Sequence, residues 1–116
     1  GIRMSSPISS MSTEEWENVL SVNLHGPFYL CRAVVPHMIN QQWGRIINVS
    51  GLNAFKGMKD WAHVCASKMG ALGLTRSLSV ELAESNILVN HLEYLLWYCQ
   101  VSLNKLALLD YTVGVR

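Results

Sequence analysis

The chain carries little charge. Nine Lys and Arg stand against eight Asp and Glu in 116 residues, a net charge of +1. These charges are scattered, so no basic stripe offers a surface to nucleic acid and no acidic run makes a solvated tail. Cysteine is scarce. Cys31, Cys65 and Cys99 are odd in number, lie far apart and match no zinc-ligand spacing. They read as reduced thiols of an intracellular, cytoplasmic protein with no metal site. Unbroken apolar runs are missing as well. The most apolar stretch, Val19 to Ile39, is interrupted by Asn23, His25, Pro27, Arg32, Pro36 and His37, which argues against a membrane span. No secretory segment is visible, and the chain opens on Gly1 rather than methionine, as a fragment or partial gene product would.

What is present suits one small domain with a core. Hydrophobic residues make up 50% of the chain, and a polypeptide of this length buries roughly two-thirds of its unfolded surface. Residues 1–11 lack periodicity and read as loop. Ser12-Thr13-Glu14-Glu15 has the form of a capping box, which opens a helix carrying Trp16, Leu20 and Val22 to Leu24 on its apolar positions. Gly26-Pro27 is expected to interrupt or kink this helix, because proline has no N–H and crowds the preceding turn. The helical pattern resumes through Leu30, Val34 and Val35 to Met38, and Asn40 to Gly44 reads as a turn.

Arg45 to Ser50 is short, β-branched and apolar on both faces, the pattern of a strand within a parallel sheet. Leu52 to Lys59 reads as loop, punctuated by Gly57. Asp60 is the expected cap of a second long helix, Trp61 to Ser85, whose Ala66, Gly70, Ala71 and Gly73 permit close packing. Ile87 to Asn90 is a second short strand. Strand, helix and strand make a βαβ unit, which predicts parallel pairing. From His91 to Leu109 the spacing of Leu92, Leu95, Leu96, Cys99, Leu103 and Leu106 is helical.

Certain segments, taken in order, resemble the short-chain dehydrogenases/reductases. Trp16 through Asn23-Leu24 is similar to the family's helix with its active-site asparagine. Gly44-Arg45-Ile46-Ile47-Asn48-Val49-Ser50 is similar to the strand that leads to its catalytic serine. Ala66-Ser67-Lys68, followed by Gly73-Leu74-Thr75-Arg76-Ser77-Leu78, resembles the active-site helix, and Ile87-Leu88-Val89-Asn90 the strand after it. The resemblance covers residues 1–90 and leaves 91–116 as a tail foreign to the family. It implies an α/β fold, part of a Rossmann-like doubly wound parallel sheet with two long helices and about two strands. It also implies an oxidoreductase that moves hydride between NAD or NADP and an alcohol or carbonyl.

The resemblance further implies a site. In the family a tyrosine hydroxyl moves the proton that accompanies the hydride, a lysine four residues later favours its ionised form, and a serine on the neighbouring strand end orients the substrate oxygen. A separation of four places tyrosine and lysine on one helix face. Here Lys68 is kept, and it is the one position expected to bind cofactor as well. Val64 stands at the tyrosine position, Gly51 at the serine position, and Asn23 at the asparagine position. Ser50 and His63, one residue before the substituted pair, are weaker candidates. A step of one along a strand reverses the face, and His63 diverges from Lys68 by roughly 140° around a helix. The plainer readings are a small strand-end residue for Ser50 and an exposed or capping-turn histidine for His63.

The Gly-rich turn that receives a dinucleotide's pyrophosphate after a strand is absent from the sequence, since Gly70 and Gly73 fall inside a helix pattern. The expectation is a catalytically impaired chain. The alternatives are a non-catalytic dimerisation or interaction protein, or a truncated product without function. Helices around 13–39 and 61–85 are the expected surfaces for a homo-oligomer or a hetero-dimer. Two strands are also too few to shelter both faces of a parallel sheet, so apolar surface should lie open.

Overall fold

The computed structural model describes residues 1–51 and 53–94. The chain forms part of a Rossmann-like α/β fold. Helix α1 (Thr13–Leu20) runs through a π-helical turn (Ser21–His25) into α2 (Gly26–Gln41). Strand β1 (Gly44–Gly51), a short α3 (Asn53–Lys56), the long α4 (Ala62–Glu81) and β2 (Ile87–Tyr94) follow.

The expected capping box is present in full. Glu15 N donates to Ser12 Oγ at 3.1 Å, and Ser12 N donates to the Glu15 carboxylate at 2.7 Å. The Gly26-Pro27 interruption takes a different form from a break or kink. Backbone angles stay right-handed helical through Leu20, Ser21, His25 and Gly26. The ladder widens by one residue instead, with Gly26 N–H bonded to Ser21 O. Widening gives room to Pro27, whose ring would otherwise meet the carbonyl one turn back. It also turns Asn23 inward, where only 3% of its surface is exposed.

Three other local expectations are corrected. Asp60 does not cap α4: it sits at φ +62° and the cap position is Trp61, which makes no side-chain cap bond. An aspartate tolerates this left-handed conformation. It lets the chain turn between Gly57, at φ +68°, and α4. The 52–59 loop contains the one-turn helix α3. Helix α4 ends at Glu81 rather than Ser85, and a 3-10 turn at Ala83–Ser85 leads to Asn86 at φ +58°.

The two strands pair in parallel from Gly44 opposite Ile87 to Gly51 opposite Tyr94. β2 is thus longer than its apolar run. His91 to Tyr94, expected to begin a helix, are strand, because the second half of β1 offers backbone partners that a buried chain must satisfy. The rest of that expected helix lies outside the described residues.

Both α2 and α4 pack on one face of the sheet. Cys31, Ile46, Leu82, Ile87 and Val89 form the core, flanked by Val35, Met38 and Leu78. Leu82 and Ile87 are almost fully enclosed, each worth roughly 1.5–3 kcal/mol of burial. The opposite face is open, as two strands imply. Ile47, Val49, Leu88 and Leu92 are each more than half exposed. Cys31 and Cys65 are free thiols, and burial raises the Cys31 thiol above its ordinary range. Among the described residues no helix is long and apolar enough to cross a membrane.

Candidate active site

The ends of β1 and the first turns of α4 frame a cleft of about 210 Å³, lined by Gly1, Arg3, Val49, Ser50, Gly51, Val64 and Lys68. Parallel pairing brings the carboxyl end of β1 beside α4, and the helical spacing of Val64 and Lys68 presents both to the same space. The positions at which the sequence pattern implies serine, tyrosine and lysine therefore converge. Two of them bring no polar side chain. A Cβ built on Gly51 meets nothing within 4 Å, so the position is roomy. Val64 is 2% exposed and closes the wall beneath.

Lys68 is half-buried. Burial, with the positive charge of Arg3 as a lesser cause, holds its ammonium below the ordinary lysine range. Neither Lys68 nor Arg3 has a hydrogen bond or ion pair with any described residue. Arg3 was not marked by the sequence pattern: it lies in a segment without periodicity, and only the tertiary structure brings it to the cleft.

Asn23 stands behind this cleft and joins three segments. Its Oδ1 accepts from Ile2 N at 2.8 Å, and its Nδ2 donates to Ile2 O at 3.0 Å and to Ser67 Oγ at 3.2 Å. Ser67 Oγ in turn donates to Val64 O at 2.8 Å. The π turn, the N-terminal segment and α4 are so held together at the level of Lys68. Gly1 fits between Asn23 and Lys68 so closely that an added Cβ would lie 2.9 Å from Lys68 Nζ and closer still to Asn23 Oδ1.

The two neighbouring candidates are placed differently. Ser50 points to the helix-covered side of the sheet, 5% exposed, with its Oγ enclosed and unpartnered. It belongs to the cleft wall rather than to its mouth. His63 is neither exposed nor a capping residue. It is fully buried in the first turn of α4, and neither ring nitrogen has a partner among the described residues. It does not line the cleft. Asn48, half-buried on the helix side of β1, donates to Thr75 Oγ1 at 2.9 Å and ties the sheet to α4.

The residues present do not fit a whole dinucleotide. The cleft is smaller than the roughly 300–1,000 Å³ of small-molecule pockets, and β1 leads to α3 without the spaced glycines that admit a pyrophosphate to a helix N-terminus.

A family model described as short chain dehydrogenase matches residues 1–94. The chain is 44% identical over 80 residues to the 3-oxoacyl-(acyl-carrier-protein) reductase FabG of Aquifex aeolicus, which covers 69% of this chain and 32% of that protein. It is 40% identical over 90 residues to the acetoacetyl-CoA reductase of an Acinetobacter species, covering 78% and 36%. Among solved structures it resembles a gluconate 5-dehydrogenase from Burkholderia cenocepacia in complex with NADP and tartrate. The TM-score is 0.78 at 29% identity, over 80% of this chain and 36% of that one. The chain spans about a third of the length of these relatives. On this match the chain belongs to the short-chain dehydrogenase family.

Proposed function

We propose that this chain carries the strand-and-helix frame of an NAD(P)-dependent oxidoreductase acting on an alcohol or carbonyl, and that by itself it does not perform that reaction. The reading rests on kinship with reductases and with a dehydrogenase solved with NADP. The observation that carries it is the shared cleft of Gly51, Val64 and Lys68. Lys68 is positioned to supply positive charge, but the two hydroxyls that such a charge would assist are absent. Valine neither takes nor gives a proton, and glycine has nothing with which to orient a substrate oxygen. The one hydroxyl in the lining, that of Ser50, is enclosed. Asn23 and Ser67 are engaged in tying the N-terminal segment to α4.

The test is a titration of the chain with NADPH and NADH, followed by fluorescence and calorimetry, and an assay of ketone reduction. The expected result is no saturable binding and no turnover. Micromolar binding, or turnover abolished by replacing Ser50 or His63, overturns the proposal.

A second reading is a non-catalytic interaction protein that associates through its long helices. It is favoured by Phe28, Leu30 and Val34 on α2 and by Met69 and Val80 on α4, all exposed. Gly70 is not part of such a face, because it packs against Leu24 of the same chain. Gly73 is open. A dimer by light scattering that Gly73→Trp dissociates supports this reading, and a monomer indifferent to the change refutes it.

A further inference from the structure

The cleft that lacks its hydroxyls retains an unbalanced charge. Arg3 and Lys68 both line it, and no aspartate or glutamate does. Neither cation is neutralised elsewhere among the described residues, and they act on each other: the charge of Arg3 contributes to lowering the Lys68 ammonium. Two like charges held together without a counter-charge raise the local positive potential. The apolar wall formed by Val64, 2% exposed, strengthens it by excluding water on that side. The volume of about 210 Å³ equals that of about seven waters at roughly 30 Å³ each, enough for a small ion with part of its hydration.

We infer that the cleft between Arg3 and Lys68 is a binding site for a small oxyanion, of the size of inorganic phosphate or a short carboxylate. Arg3 supplies a planar fork of donors suited to two oxygens of one anion, and Lys68 adds a point charge in the same cleft. The anion offsets the repulsion between the two cations. It needs neither a dinucleotide nor the missing hydroxyls, and no electrons or protons change hands. The inference shares its cleft with the proposed function. Its outcome is separate, since it concerns an ion bound by Lys68 and Arg3, whereas that reading concerns NADPH binding and turnover.

The experiment titrates the whole chain with sodium phosphate and, separately, with sodium acetate, against sodium chloride at matched ionic strength. The amide resonances of Gly51, Val64 and Lys68 are followed. The expected result is a saturable shift with phosphate, acetate or both, at roughly millimolar concentration, which chloride does not reproduce. Which anion binds more tightly separates a phosphate source from a carboxylate source. Arg3 is exposed in the N-terminal segment, so Arg3→Gln does not disturb the core. It is expected to weaken binding about tenfold or more, the loss for one charge-assisted hydrogen bond. Arg76→Gln, on an exposed part of α4, is expected to leave binding unchanged. Shifts that chloride reproduces, or that Arg3→Gln leaves intact, overturn the inference.

Discussion

His63 is a buried polar side chain without hydrogen-bond partners among the described residues, and its replacement by leucine is expected to stabilise the protein. The ring is wholly enclosed, and neither Nδ1 nor Nε2 has a partner. A neutral imidazole carries one donor and one acceptor. Each left unsatisfied in the interior costs about 1–3 kcal/mol, so the pair costs on the order of 2–6 kcal/mol. Leucine removes both groups, while imperfect shape in the vacated site takes back about 1–2 kcal/mol. The net expectation is a gain of about 0–5 kcal/mol, centred near 2. Urea unfolding at pH 8 checks it: the midpoint rises while the slope stays constant. In a thermal scan each kcal/mol corresponds to roughly 3–5 °C for a domain of this size. His63→Gln, which keeps the polar groups, is the control and gains nothing. A His63→Leu protein that is less stable than the parent at pH 8 therefore refutes the reasoning, for it shows that the ring is satisfied and contributes to the fold.

Further predictions follow from single residues. Ser12→Ala removes the acceptor for Glu15 N and is expected to cost about 1 kcal/mol in urea unfolding. The Glu15 carboxyl is held below its ordinary 4.5, chiefly by the Ser12 backbone N–H. Its contribution is fully present above that ordinary value and is lost as pH falls through and below it, so an acid titration followed by circular dichroism should show a loss of α1 that Glu15→Gln no longer shows. Lys68 is lowered by burial, so the unfolded chain binds its proton more tightly. Stability should rise with pH between the lowered value and about 10.5, and Lys68→Met should remove that rise in denaturant midpoints taken from pH 8 to 10.5. Gly73→Ala, in open space on α4, should gain about 0.5–1 kcal/mol of helix propensity. The same change at Gly70 should lose about 0–2 kcal/mol, since the new methyl lies 2.9 Å from Leu24 Cδ2 and crowding offsets the propensity.

Much of the frame is legible in the sequence because it rests on local physics. The capping box at Ser12 and Glu15 is a contact between residues three apart, and the β-branched run from Arg45 to Ser50 has few alternatives to a strand. The parallel pairing follows from the length of the intervening helix. What escapes is set by distant partners. Nothing near His91 says that β1 extends far enough to hold it in a strand. Asp60 has a capping side chain, yet its backbone is needed for a left-handed turn, and Trp61 takes the cap position without a side-chain bond. Gly26-Pro27 announces a disturbance, but whether a helix breaks or widens depends on what the turned residue gains. Here Asn23 gains Ile2 and Ser67.

The cleft shows the same division at the level of chemistry. Lys68, Val64 and Gly51 are assigned to one site by the family resemblance, and they line one cleft because four residues on a helix and the end of an adjacent parallel strand leave little freedom to part them. His63 and Ser50, their immediate neighbours, share the composition of a catalytic pair but not its geometry: His63 is fully buried and does not line the cleft, and Ser50 lines it with its Oγ enclosed. Arg3 is the reverse case. It lies in a segment with no pattern, and it reaches the cleft because Asn23 holds Ile2 at both backbone groups. The side chain that determines the charge of the site is therefore positioned by an asparagine engaged with backbone. Asn23→Ala should release Arg3 from the cleft and relieve part of the depression of Lys68, which would appear as an upward shift of the Lys68 titration in an Nζ-labelled protein. An unchanged titration would mean that Arg3 is held there by something other than Asn23.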